Sequence, residues 1–156
     1  MWLRRVSVFT KLNFAKFSLA FLFLIVSVLQ LFSFPGQFVH MRKENGTSLL
    51  LTIALTALLA CLFLCAQISI FALWKIICHI GSNSFYSANS FLWMNRLVGT
   101  LKVATAFPVL LILIIAPQTD DPGVLVMLTA ITLFVVTIFV ISSLLRDQIQ
   151  NSPYPL

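Results

Sequence analysis

Few residues of this chain are of types that do chemistry, and their spacing sets what they can do. The histidines are His40 and His79, and the cysteines are Cys61, Cys65 and Cys78. No two cysteines form a C-x-x-C pair, and too few other ligands stand near them for a structural zinc site. The two histidines are separated by a long apolar run that would place them on opposite sides of a membrane, so they cannot share a site. There is no nucleophile, base and acid set, no glycine-rich phosphate loop and no H-E-x-x-H. The chain reads as a non-enzyme with no cofactor, no metal and no catalytic residues. The cysteines read as small buried hydrophobes.

Three residues inside apolar runs need separate weighing. Lys102 is a charge within a hydrophobic stretch, which by default points to function. It lies only about one helical turn from the end of that stretch, where a lysine can extend its ammonium to water. No Asp or Glu lies in any apolar run to pair with it, as a proton relay would need. Gln67 is the one long neutral polar residue deep in its run. It could line a ligand path, but a hydrogen bond to a neighbouring helix, worth about 1 kcal/mol, is the ordinary explanation. Pro108 lacks an N–H and frees the carbonyl of Ala104, so a kink is expected there. The rows Thr52, Thr56, Ala60 and Ala57, Cys61, Cys65 repeat small residues every four positions, a pattern expected to favour close helix packing.

The elements that carry these residues follow from composition. The chain has 156 residues, 60% of them hydrophobic and only 9% charged, with a mean hydropathy of +1.05. Soluble domains carry about 25% charged residues, so a water-exposed globule, a disulfide scaffold and a disordered chain all fit poorly. The net charge of +6 comes from thinly spread Lys and Arg flanking apolar runs, which suits membrane edges rather than nucleic acid.

Crossing about 30 Å of hydrocarbon takes about 20 helical residues, and four runs suffice: residues 13–34, 49–74, 97–116 and 124–145. Lipid cannot pair exposed backbone groups, so the runs are expected to be helices. The fold class expected is all-α: one domain over residues 1–156, an integral membrane bundle of four antiparallel transmembrane helices. Turn chemistry marks the ends. Phe34-Pro35-Gly36 closes the first helix. Thr47 or Ser48 caps the second, and Gly81-Ser82-Asn83-Ser84 breaks the chain after it. Ala116-Pro117 ends the third. Asp121 caps the fourth, with Pro122 at its first position. The first run is longer than a signal-peptide core and lacks a small-residue cleavage site, so it reads as an uncleaved span. Asn45-Gly46-Thr47 is a glycosylation triplet of a kind that chance often supplies.

Arg4, Arg5, Lys11, Lys16, Lys75, Arg96, Lys102 and Arg146 fall on one side of these spans, and Arg42 and Lys43 on the other. The positive-inside rule then places both termini in the cytoplasm. The middle cytoplasmic segment, Lys75 to Arg96, is the most informative stretch. Ser87 is positioned to cap a helix that enters the third span, with its first turns outside the bilayer and Phe91, Trp93 and Met94 near the headgroups. The aromatic pair Phe85-Tyr86 stands in a polar turn. Phe85, Tyr86, Ser87, Asn89 and Arg96 form the candidate docking surface for a cytoplasmic partner, although an interfacial aromatic belt explains the same residues structurally.

The segment from Leu51 to Asp147, about two thirds of the chain, resembles a bacterial family of four-helix membrane proteins, domain of unknown function 2975, the YoaS-like proteins. The likeness rests on the basic elbow Leu73-Trp74-Lys75-Ile76-Ile77, on the turn Gly81 to Asn89 with Phe85-Tyr86-Ser87, and on Asp120-Asp121-Pro122-Gly123 before the fourth span. The resemblance implies a protein of the bacterial cytoplasmic membrane. It also implies the membrane partner of a small helix-turn-helix regulator of the XRE type, sensing or sequestering it. The bilayer and that regulator are then the expected partners, with no direct contact to nucleic acid. The alternative is a small transporter, channel subunit or hydrophobic-ligand binder. Intramembrane carboxylates or paired broken helices would favour that alternative, and neither is evident.

Overall fold

The computed structural model describes residues 2–33, 48–82, 87–117 and 122–151, leaving aside the side chains of residues 2–9 and of Ser33. The described residues are all-helical. We number the helices α1 (Trp2–Val28), α2 (Leu49–Gly81), α3 (Ala88–Ala104), α4 (Ala106–Ile115) and α5 (Pro122–Gln150); a π-helical turn, Leu29–Ser33, continues α1. Four stretches are long and apolar enough to cross a membrane: Thr10–Phe32, Leu49–Gly81, Ala88–Ile115 and Pro122–Gln150.

Local chemistry sets the ends. Ser48 has extended backbone at φ −61° and ψ 143°, and its hydroxyl accepts from the Leu51 N–H. Ser87 does the same for α3, accepting from the Ser90 N–H at 3.3 Å. Each cap satisfies one amide that the first helical turn leaves without a carbonyl. At the far end of α2 the Ser82 N–H returns to the Cys78 carbonyl at 3.2 Å. Pro122 is the first helical residue of α5, where its missing N–H costs nothing. Phe34, Thr47 and Asp121 lie outside the described residues.

The third span is two helices. Thr105 separates α3 from α4, its hydroxyl donating to the Lys102 carbonyl at 2.7 Å. The cause lies three residues on, where the Pro108 ring cannot donate to the carbonyl of Ala104. Pro108 is itself among the most completely buried side chains, so the break faces a neighbouring helix.

Two apolar clusters join the helices. Ala72 and Ile76 of α2 meet Met94, Leu97 and Leu101 of α3 and Ile149 of α5. Leu55 of α2 meets Leu111 of α4 and Leu128 of α5. The first helix packs chiefly against α2. Leu12 lies beside Gly81, where an added methyl would meet its Cδ1 at 3.7 Å. Farther along, Gln67 of α2 donates to the Ser27 hydroxyl at 3.1 Å. Thus α2, α3/α4 and α5 form a mutual core and α1 leans on one of its members.

Apart from α3, which buries Met94, Leu97, Val98, Leu101 and Ala104, the long helices present mostly apolar surface. Large exposed hydrophobic side chains outnumber the buried ones by more than two to one among the described residues. Hydroxyls on the helices are closed on their own backbone: Thr56 donates to Thr52, Ser69 to Cys65, Thr132 to Leu128 and Thr137 to Leu133 at 2.7–2.8 Å. Such back-bonding removes a polar group from an apolar solvent without needing a partner helix.

Packing departs from the expected small-residue rows. Ala57 and Cys61 are exposed, and Thr52, Thr56 and Ala60 are half-buried. The face of α2 that is buried instead carries Leu55, Ser69, Ile70, Ala72 and Ile76. That face mixes the branched side chains Leu55, Ile70 and Ile76 with the small residues Ser69 and Ala72. The cysteines are free, with Cys61 exposed and Cys65 and Cys78 half-buried, which corrects their reading as buried hydrophobes.

Candidate functional site

Polar chemistry collects at one end of the helices. Lys75 lies on α2, which continues past Trp74 to Gly81. At 33 residues that helix is about 50 Å long, some 20 Å more than a hydrocarbon core requires. The extra turns are held because Ile76 packs against Met94 and Ile149. Met94 is therefore in the core between helices, 4% exposed.

Trp93 sits at the centre of this end. It meets Phe71 of α2 edge-on, with ring centroids 5.6 Å apart and planes at 74°. The Lys75 ammonium lies 5.4 Å from the Phe71 centroid and 5.9 Å from that of Trp93. The Arg96 guanidinium carbon lies 4.8 Å from the Trp93 ring. Two cations thus share one indole, attracted by its quadrupole. Helix periodicity builds the arrangement: Phe71 and Lys75 are four apart on α2, and Trp93 and Arg96 three apart on α3.

Neither cation has an acidic partner among the described residues. Among the described residues the single carboxylate is Asp147, and Arg146 holds it, with Nε and Nη2 donating to Oδ1 at 3.0 and 2.8 Å. That pair is exposed and adds little stability.

Of the expected docking residues, the structure describes Ser87, Asn89 and Arg96. Ser87 is the α3 cap, Asn89 is exposed on the first turn and Arg96 is exposed on the same helix. Phe85 and Tyr86 lie outside the described residues. Arg96 joins Trp93 and Lys75, a grouping absent from the expected surface, although the Phe71–Lys75 and Trp93–Arg96 spacings signalled it. Gln67 makes the cross-helix bond expected of it, and Ser27 passes its own proton to the Phe23 carbonyl at 2.8 Å. Lys102 is exposed beside the Thr105 break. His40 lies outside the described residues.

Ser90 departs from the pattern of hydroxyl back-bonding. It is fully buried, and its Oγ has no hydrogen-bond partner. It is the third residue of α3, so the position four before it precedes the helix and offers no helical carbonyl. Among the described residues, no three His, Cys, Asp or Glu side chains come together in a metal-holding group. No family model matches the chain, and neither a curated protein nor a solved structure shows significant similarity to it.

Proposed function

We propose that this chain is an integral protein of the bacterial cytoplasmic membrane, with four antiparallel spans and both termini inside the cell. On this reading it works as an interaction protein through its cytoplasmic end. One observation carries the membrane assignment: the helices expose more large apolar side chains than they bury, an inverted surface that water does not tolerate and lipid does. The antiparallel course is supported by paired contacts. Gln67 meets Ser27 while Gly81 meets Leu12, and Leu55 shares a cluster with Leu111 while Ile76 shares one with Met94. Positions that rise along one helix fall along its neighbour.

The same contacts gather Lys75, Arg96, Arg146 and the Lys11 neighbourhood at one end, in keeping with the positive-inside rule. An interaction role is favoured over transport because the single described carboxylate, Asp147, lies in the last turn of its span paired with Arg146 and Gln67 is spent on Ser27. The partner class to test first is the small helix-turn-helix regulator that the family resemblance implies. The turn containing Phe85 and Tyr86 is the contact tested, because a buried aromatic anchor is often worth 2 kcal/mol or more at an interface.

Reporter fusions test the topology. A reporter active only outside the cytoplasm should be silent after Leu156 and active within residues 40–45, and the reverse pattern refutes the orientation. For docking, Phe85→Ala with Tyr86→Ala should abolish recovery of the regulator from membranes at matched abundance. Equal recovery by wild type and variant refutes the role of the turn.

A further inference from the structure

The Lys75–Trp93–Arg96 cluster brings two cations to one aromatic ring, within the sum of the two ring distances from each other. The ring attracts each of them but leaves their mutual repulsion in place, and the only described carboxylate is occupied by Arg146. An anion reaching both removes that repulsion. Arg96 presents a planar fork of N–H donors and Lys75 a compact ammonium, the pairing that suits a tetrahedral oxyanion. Lys75 is half-buried and Arg96 exposed, so the site opens outward.

The surface leading away from the cations says what carries the phosphate. From Lys75 back along α2, the positions on the same face are Phe71, Ile68 and Leu64, spaced four, three and four. Their exposures are 50%, 52% and 49%. This apolar row runs from the cations toward the middle of the span and stands half-exposed among the described residues. A soluble phosphate has no use for such a row, whereas an acyl chain covers it.

We propose that Lys75 and Arg96 hold the phosphate of an anionic phospholipid at the cytoplasmic membrane edge. Trp93 is the platform that fixes both cations, and the row Phe71, Ile68, Leu64 receives an acyl chain. The site rests on the membrane reading above but is separate from the Phe85-Tyr86 turn. Each basic residue near an anionic surface strengthens binding about fivefold, so the pair should give a preference on the order of 25-fold.

The test uses the full chain purified in mild detergent, with bound lipid read by native mass spectrometry. The probes are phosphatidylglycerol, phosphatidylcholine of matched chains and inorganic phosphate. Wild type should retain phosphatidylglycerol over phosphatidylcholine by the stated factor. Lys75→Gln with Arg96→Gln should bind both lipids alike, while Lys11→Gln with Lys16→Gln keeps the preference. Circular dichroism checks that helicity is intact. If the double variant does not accumulate, Arg96→Gln alone, an exposed change, should lower the preference about fivefold.

Equal loss in the Lys11 and Lys16 variant would assign the effect to diffuse charge and overturn the site. An unchanged preference after Lys75→Gln with Arg96→Gln would overturn it too. Displacement of the lipid by millimolar inorganic phosphate would make this a free-phosphate site and overturn the lipid assignment. Alkaline carbonate extraction of the wild-type chain separates the two readings. Release from membranes overturns both, whereas retention without a lipid preference overturns the headgroup site alone.

Discussion

Leu111→Ala separates packing from solvent transfer. Leu111 is 1% exposed and lies between Leu55 and Leu128, with Ile112, Ile114 and Ile115 packed around the cluster. In a water-soluble core such a truncation costs about 2.7–5.0 kcal/mol, made of a transfer part plus about 24 cal/mol per Å³ of cavity. In lipid the separated helix still keeps Leu111 in an apolar medium, so the transfer part cancels and only the cavity remains. The expected cost is then about 1–2 kcal/mol. Leu113→Ala, at a position 66% exposed, should cost almost nothing. The assay is reversible unfolding in mixed micelles of rising dodecyl sulfate content, followed by helicity. A cost near 4 kcal/mol, typical of leaving water, would refute the lipid reference state. Equal stability of the two variants would refute the interface.

Three further substitutions probe other contacts by the same unfolding assay or by accessibility. A double-mutant cycle with Gln67→Leu and Ser27→Ala should give a coupling of about 0.6 kcal/mol, the usual worth of an interhelical hydrogen bond in lipid; zero coupling means the 3.1 Å bond is not made. Ser90→Ala should stabilise the chain by about 1 kcal/mol, because it deletes a buried hydroxyl with no partner, and destabilisation would show that the hydroxyl is satisfied. Pro108→Ala restores a donor to the Ala104 carbonyl and should join α3 to α4. An unchanged pattern of reactivity for cysteines placed along residues 97–115 would count against Pro108 as the cause of the break.

Hydropathy locates the four long apolar helices because exposed apolar positions dominate most of them. The apolar runs themselves end at Trp74 and begin at Leu97, whereas α2 reaches Gly81 and α3 begins at Ala88; the Gly81 break and the Ser87 cap mark those two ends in the sequence. The added turns are amphipathic. They are held by Ile76, Met94 and Ile149 packing on one another, a contact between distant segments that no local window contains. The caps were legible, since Ser48 and Ser87 act through bonds to residues three positions away. Gln67 announced itself as a bonded residue but not its partner, because Ser27 lies on another helix. The small-residue rows misled for the same reason. Spacing shows which residues share a face but not which face a neighbour covers, and α2 turns Ala57 and Cys61 outward. The cation pair on Trp93 needed α2 and α3 side by side before its two halves could be recognised as one.

The dependence of the core on α5 has a consequence during synthesis. Ile76 and Ile149 belong to one cluster but are separated by roughly 70 residues, which a ribosome adding about 5–20 residues per second takes on the order of 4–15 s to deliver. The hairpin of α1 and α2 can close early, since Leu12 and Ser27 find Gly81 and Gln67 as soon as both helices are inserted. The opposite face of α2, with Ala72 and Ile76, can meet Met94 and Leu97 once α3 is made, but its contact with Ile149 must wait for α5. A chain truncated before α5 would keep its first hairpin and lose the clamp at both ends of the remaining helices, leaving an orphaned intermediate for membrane quality-control proteases to find.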